Sequence, residues 1–152
     1  MTRAKVVLLM IATLLAGIAI GGYLFKGTRP RSFLAIRKCQ TKCLQTNELL
    51  GLVASVGVQH FSGLVPSVVK ETDKTLVIDQ STKAGMHYVI IPKKDMKNIG
   101  DASEEDTEYL ADALKVAGEI VREKNLTNYV LTTNGPAYQT VTYLHFHLTA
   151  YQ

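Results

Sequence analysis

Twenty consecutive residues without a charge, Val6 to Phe25 (VVLLMIATLLAGIAIGGYLF), constrain this chain more than any other feature. At about 1.5 Å of rise per residue, a helix of that length crosses the roughly 30 Å hydrocarbon layer of a bilayer. A cleaved signal peptide is the rival reading, because Arg3 and Lys5 supply a charged start. The apolar run is, however, longer than the usual h-region of about 7 to 15 residues. We therefore expect a retained membrane anchor over residues 1–25, with lipid contact through residues 6–25. Arg3 and Lys5 precede the span, and Lys26, Arg29, Arg31, Arg37, Lys38 and Lys42 follow it. The positive-inside rule then makes this a single-pass protein with its C-terminal domain in the cytoplasm. The cations after the span would lie against anionic headgroups, with Tyr23 and Phe25 at the interface.

Charge is unevenly divided along the chain. Residues 1–50 hold 8 Lys or Arg and one acid, whereas residues 51–152 hold 9 Lys or Arg and 12 acids. The basic pI near 9.1 is thus a property of the N-terminal third. The remainder offers little beyond Lys93, Lys94 and Lys97 with which to displace counterions from nucleic acid, which is not an expected partner. Two cysteines cannot staple a secreted mini-protein. Cys39 and Cys43, about one helical turn apart, read as reduced thiols; palmitoylation, or zinc bound together with His60, are weaker readings. Within the basic segment 26–61, Leu49 to Val58 is apolar but too short to span a membrane again. It is expected to form a juxtamembrane helix or a flap packed on the domain.

From Ser62 onward the pattern is that of an α+β domain, residues 62–152. Thr75 to Ile78 (TLVI) and His87 to Ile91 (HYVII) are rich in β-branched residues, are separated by a polar turn over 80–85 and end at Pro92; they read as paired strands. Ser103 followed by Glu104, Glu105 and Asp106 is an N-cap with acids in the first turn. Leu110, Leu114, Ala117, Ile120 and Val121 then recur at helical spacing as far as Lys124-Asn125. Tyr129 to Thr133 is a third strand, Asn134-Gly135-Pro136 a turn, and Thr140 to Tyr151 a long fourth strand.

In that last strand, alternation sets Tyr143, His145, His147 and Thr149 on one face and Leu144, Phe146, Leu148 and Ala150 on the other. The apolar face can cover the helix while both imidazoles project together. The expected architecture is an antiparallel sheet with one main amphipathic helix on one side and a polar site on the other. Histidines at i and i+2 can chelate zinc, can act as nucleophile and phosphate donor, or can lie on an exposed strand face. No Asp, Glu or Cys lies on that strand to complete a metal site. Gln139 and Thr140 instead place amide and hydroxyl donors beside the imidazoles, as phosphate handling requires. Neither a metal nor another cofactor is expected.

These residues resemble the histidine triad (HIT) family, most of all its Hint branch, over roughly Ser62 to Tyr151. That family closes on Gln-Ser/Thr-Val and then His-φ-His-φ-His-φ-φ, with φ apolar. Here the stretch reads Gln139-Thr140-Val141-Thr142-Tyr143-Leu144-His145-Phe146-His147-Leu148. Gly63 to Val69 (GLVPSVV), the Asp79 segment and His87 to Lys94 (HYVIIPKK) match further stretches. The resemblance implies a HIT-like fold and a nucleotide hydrolase or nucleotidyl transferase, working on a phosphoramidate or dinucleoside polyphosphate through a nucleotidyl-histidine. It implies His145 as nucleophile, His147 as donor to the phosphate oxygens, and Gln139 and Thr140 as contacts to phosphate or leaving group. Asp79 then stands for the ribose-binding acid, His87 for a supporting histidine and Asn134 for a further nucleotide contact. A purine nucleotide or nucleotide conjugate as partner, and a homodimer built through the helix and its neighbouring strand, follow from the same likeness.

The chain departs from the family at Tyr143, which replaces the first His, a group that orients the nucleophile, and at Ala137-Tyr138, which replace a Gly-Gly pair. Two alternatives therefore stand beside the enzyme: a catalytically impaired nucleotide-binding module tethered to the membrane, and a zinc protein using His145, His147 and a distant cysteine.

Overall fold

The computed structural model describes residues 2–34 and 43–150. Helix α1 (Arg3–Phe25) and helix α2 (Thr46–His60) precede strands β1 (Val68–Glu71), β2 (Thr75–Asp79) and β3 (Met86–Pro92). Helix α3 (Thr107–Glu123) and strands β4 (Tyr129–Thr132) and β5 (Phe146–Ala150) follow. The strands form one antiparallel sheet in the order β1-β2-β3-β5-β4. This is the expected α+β architecture.

Side-chain alternation decides what each face of the sheet does. In the register of β3 against β5, Tyr88 faces Leu148, Ile90 faces Phe146 and Val89 faces His147. Val77, Tyr88, Ile90, Phe146 and Leu148 therefore enter the core with Ala113, Val116, Ala117 and Ile120 of α3, while Ile78, Val89, Ile91 and His147 line the opposite face. Leu110 and Val121 pack against this core. Leu114, expected in the buried seam, is 52% exposed; it lies about 100° round the helix from Ala113, where the seam begins. The ends of α3 follow the sequence reading. Ser103 and Asp106 form a capping box on a 3-10 turn (Glu104–Asp106) that leads into α3, and Asn125, at φ 51°, follows the helix with the Leu126 N–H donating to the Val121 carbonyl at 2.9 Å.

Several expectations are corrected. The long last strand shrinks to Phe146–Ala150, and Tyr151 lies outside the described residues. Before Phe146 the backbone donors bond elsewhere: Thr142 N–H to the Asn47 carbonyl at 3.2 Å, Tyr143 N–H to Val141 at 2.8 Å and Leu144 N–H to Met96 at 2.6 Å. Donors committed in that way cannot build a ladder. Secondly, the sheet gains an edge strand, β1, whose four residues beside a bulge carry too short an alternation to read from sequence. Thirdly, Arg31 is buried in the domain, and the partly exposed Arg29 is paired with Asp106 there. The Arg31 side chain, 1% exposed, forks onto the fully buried Asp95 carboxylate and donates to the Thr142 carbonyl at 2.8 Å. Arg29 N–H donates to Asp95 at 2.8 Å, and its guanidinium reaches Asp106 at 3.2 Å. Arg37, Lys38, Lys42 and Cys39 lie outside the described residues. Cys43 is disulfide-bonded, so the reading of a reduced thiol fails there.

The apolar segment Leu49–Val58 is the body of α2, which packs on the domain through Gly51, Ser55 and Val58. Gly51 must lack a side chain, because a Cβ there would stand 2.6 Å from the Thr142 carbonyl oxygen. Helix α1 has no buried residue and is long and apolar enough to cross a membrane.

Candidate active site

A cleft of about 320 Å³ opens on the sheet face away from α3. Strands β2 and β3 supply Ile78, Val89 and Ile91, the loop before β5 supplies Thr140 and Val141, and α2 closes one side with Ala54 and Val58. His145 and His147 stand in its wall.

Each imidazole is held by one ring nitrogen. His145 Nδ1 lies 2.7 Å from the Tyr143 carbonyl oxygen. A carbonyl only accepts, so Nδ1 carries the hydrogen, and in the neutral ring the lone pair is on Nε2. The carbonyl of His145 accepts from Thr133 Oγ1 at 2.8 Å, which ties the residue to the end of β4. His147 sits edge-on to His145, with ring centroids 4.8 Å apart and planes at 83°. Its Nδ1 lies 2.9 Å from His87 Nε2 on β3, so three imidazoles converge although one of them comes from a distant strand. Burial, and then the neighbouring imidazoles of His145 and His87, hold the pKa of His147 below the ordinary histidine value.

The other anticipated residues divide. Thr140 lines the cleft. Gln139 is buried, and its amide donates to the Lys97 carbonyl at 2.8 Å, so it braces the loop from behind. Asp79 is not among the residues lining the histidine cleft. It borders a separate hollow of about 180 Å³ with Tyr88, Ile120 and Lys124, on the α3 side of the sheet. There it accepts from Ser81 N–H at 2.8 Å, and Ser81 Oγ accepts from His87 N–H at 3.0 Å, so Asp79 shapes the turn that leads to His87. Hydrogen bonds from Ser81 hold its carboxyl below the usual carboxylate range. Asn134 is half-buried after β4 and does not border the cleft. Sequence reasoning missed Ala54 and Val58, Thr133, and the Arg31–Asp95 pair. Only the apolar spacing of Leu49 to Val58 hinted at the first two.

Tyr143 is corrected most. It borders the cleft together with both imidazoles, but it is only 2% exposed and its hydroxyl donates to the Pro92 carbonyl at 2.8 Å rather than to His145. Burial, reinforced by the charge of Asp95, raises its pKa. The orienting contact to His145 comes from the main-chain carbonyl of the same residue. We therefore expect Tyr143→Phe to reduce kcat by less than about 5-fold while lowering stability by about 1–2 kcal/mol, since the Pro92 carbonyl loses its partner. Steady-state kinetics and urea unfolding measure both quantities.

Among the described residues, no group of three or more His, Cys, Asp or Glu side chains is placed to hold a metal ion. The nitrogens of His87 and His147 face one another, and His60 packs at a tilt against Tyr23, with ring centroids 5.0 Å apart, where α1 meets α2.

Residues 64–152 match the family model described as scavenger mRNA decapping enzyme C-term binding. A comparison with curated proteins found no match. Among solved structures, the chain is similar to a HIT family hydrolase from Legionella pneumophila at 32% identity and a TM-score of 0.53, over 60% of this chain and 87% of that one. A HIT family hydrolase from Clostridium thermocellum matches at 29% identity and 0.53, over 61% and 86%. A histidine triad nucleotide-binding protein from Candida albicans matches at 25% and 0.51, over 64% and 75%. The imidazoles of His145, just before β5, and of His147 within it agree with these likenesses, and the chain belongs to the histidine triad family.

Proposed function

We propose that this protein is a membrane-tethered nucleotide hydrolase or nucleotidyl transferase that works through a nucleotidyl-histidine on His145. The observation that carries the reading is the bond from His145 Nδ1 to the Tyr143 carbonyl, which selects the neutral tautomer whose lone pair is on Nε2. With a nucleoside phosphoramidate, Nε2 attacks the α-phosphorus and forms a P–N bond while the bond to the amine breaks; the amine leaves with a proton. Water then attacks the same phosphorus, the bond to His145 breaks and the nucleoside monophosphate departs. His147 donates to the phosphate oxygens through Nε2 when His87 donates to its Nδ1, so His87 sets the tautomer of His147. Thr140 adds a hydroxyl at the rim. The hydrolases among its structural neighbours support this reading. Pairing of two copies belongs to it as well, supported by the exposed Tyr129 and Val130 of edge strand β4.

The test is release of AMP from adenosine phosphoramidate and from a dinucleoside polyphosphate by the full chain in detergent, with acid-labile label trapped on His145. Nucleotide affinity without turnover would favour the binding module instead.

A pH effect follows from His147. Its lowered pKa means that the folded chain binds the proton less well than the unfolded chain. The stability it contributes is complete above about pH 6.5, is lost as pH falls from there to the folded pKa, and is constant below. Urea midpoints between pH 7.5 and 5.5 should fall, and His147→Asn should flatten that part of the curve.

The flanking cations argue for a cytoplasmic domain, which we retain in the proposal, whereas a disulfide at Cys43 belongs to an oxidising compartment. A membrane-impermeant amine reagent applied to intact cells decides between them, since it labels the domain lysines only from outside.

A further inference from the structure

We propose that the outward face of α2 lies on the bilayer surface, with lipid on one side of this helix and the histidine cleft on the other. The inference rests on reading α1 as a retained anchor. A helix on the surface of a soluble domain turns polar residues outward. Here the outward face carries Leu50 at 47% and Val53 at 62% exposure, continues through Phe61 at 45%, and has no charged residue after Glu48. The inward face is used up, because Gly51, Ser55 and Val58 are buried and Ala54 and Val58 border the cleft.

What covers the outward face is indicated by where it lies. Phe25, the last residue of α1, joins Leu49, Leu52, Val53, Val56 and Phe61 around an apolar groove of about 400 Å³. The groove thus begins where the apolar helix ends, and any bilayer that holds α1 brings its headgroup boundary to this level. The junction has the chemistry of such a boundary. The Tyr23 ring packs at a tilt against His60 of α2, Lys26 Nζ sits 5.1 Å from the Tyr23 ring centroid, and Gln59 Nε2 donates to the Gly27 carbonyl at 3.4 Å. These contacts hold α2 against the exit of α1. The cleft then stands about one helix diameter, roughly 10 Å, from the headgroups.

The chain contains no tryptophan, so a single one introduced on α2 is an unambiguous reporter. Full-length Val53→Trp is reconstituted in phosphatidylcholine/phosphatidylglycerol vesicles with and without brominated acyl chains. Leu50→Trp serves as a second reporter on the same face, and Leu114→Trp, on exposed α3, as the control. Both α2 variants should emit to the blue and lose most of their emission in brominated vesicles, while Leu114→Trp keeps its own. Unquenched emission from α2 in chains that float with the vesicles overturns the inference and leaves the anchor standing. Blue-shifted but unquenched emission means that protein, such as a second copy, covers the face, and overturns it too. Chains that do not float with vesicles overturn both readings.

Discussion

His145→Ala should reduce AMP release by on the order of 10³-fold or more and leave the unfolding midpoint close to that of the parent chain. The size follows from the role. Without the imidazole there is no covalent intermediate, and water must displace the leaving group directly. The fold should tolerate the change because the His145 side chain is only part-buried and its main-chain carbonyl still accepts from Thr133. Acid-labile label on the protein should vanish with turnover. Label that persists on the variant would move the nucleophile to another residue, and equal turnover by parent and variant would remove the nucleotidyl-histidine altogether.

The second large effect is predicted far from the nucleophile. Arg31→Ala leaves Asp95 as a buried carboxylate whose fork of guanidinium hydrogen bonds is gone, with the Arg29 N–H as a remaining donor. Breaking a buried pair from one side typically costs about 3–5 kcal/mol, which for a domain of this size lowers Tm by on the order of 15 °C. Thermal unfolding of the full chain in detergent reads this directly. The paired replacement Arg31→Met with Asp95→Leu should recover most of the loss, since two apolar side chains leave no charge unpaired. Arg31 also holds the Thr142 carbonyl, one residue before the carbonyl that orients His145. Arg31→Ala should therefore lower kcat by about 10-fold even at temperatures where it is folded, through a looser imidazole. An unchanged Tm would show that the strap after α1 adds nothing to the domain.

Much of this protein is legible without coordinates. An uncharged run of 20 residues has one good solution as a helix, and the Ser103 cap, the 3.6-residue spacing before Asn125 and the β-branched stretches at 75–79 and 86–92 are local signals with local causes. Period-2 alternation likewise placed His147 opposite Phe146 and Leu148. These features depend on residues a few positions apart, and the sequence by itself determines them.

What it could not determine depends on partners far along the chain. The backbone of 142–144 leaves the strand because Asn47 and Met96 supply acceptors, Asp79 turns to the α3 side at a register set by β3, and Arg31 meets Asp95 across 64 residues. The third imidazole is the clearest case. Tyr143 occupies the motif position and borders the cleft, as alternation implies, yet its hydroxyl is committed to the Pro92 carbonyl, and the imidazole that meets His147 is His87 of β3, a contact between side chains 60 residues apart. Local pattern set the elements and their faces; only tertiary hydrogen bonding and packing decided which atoms of those faces meet.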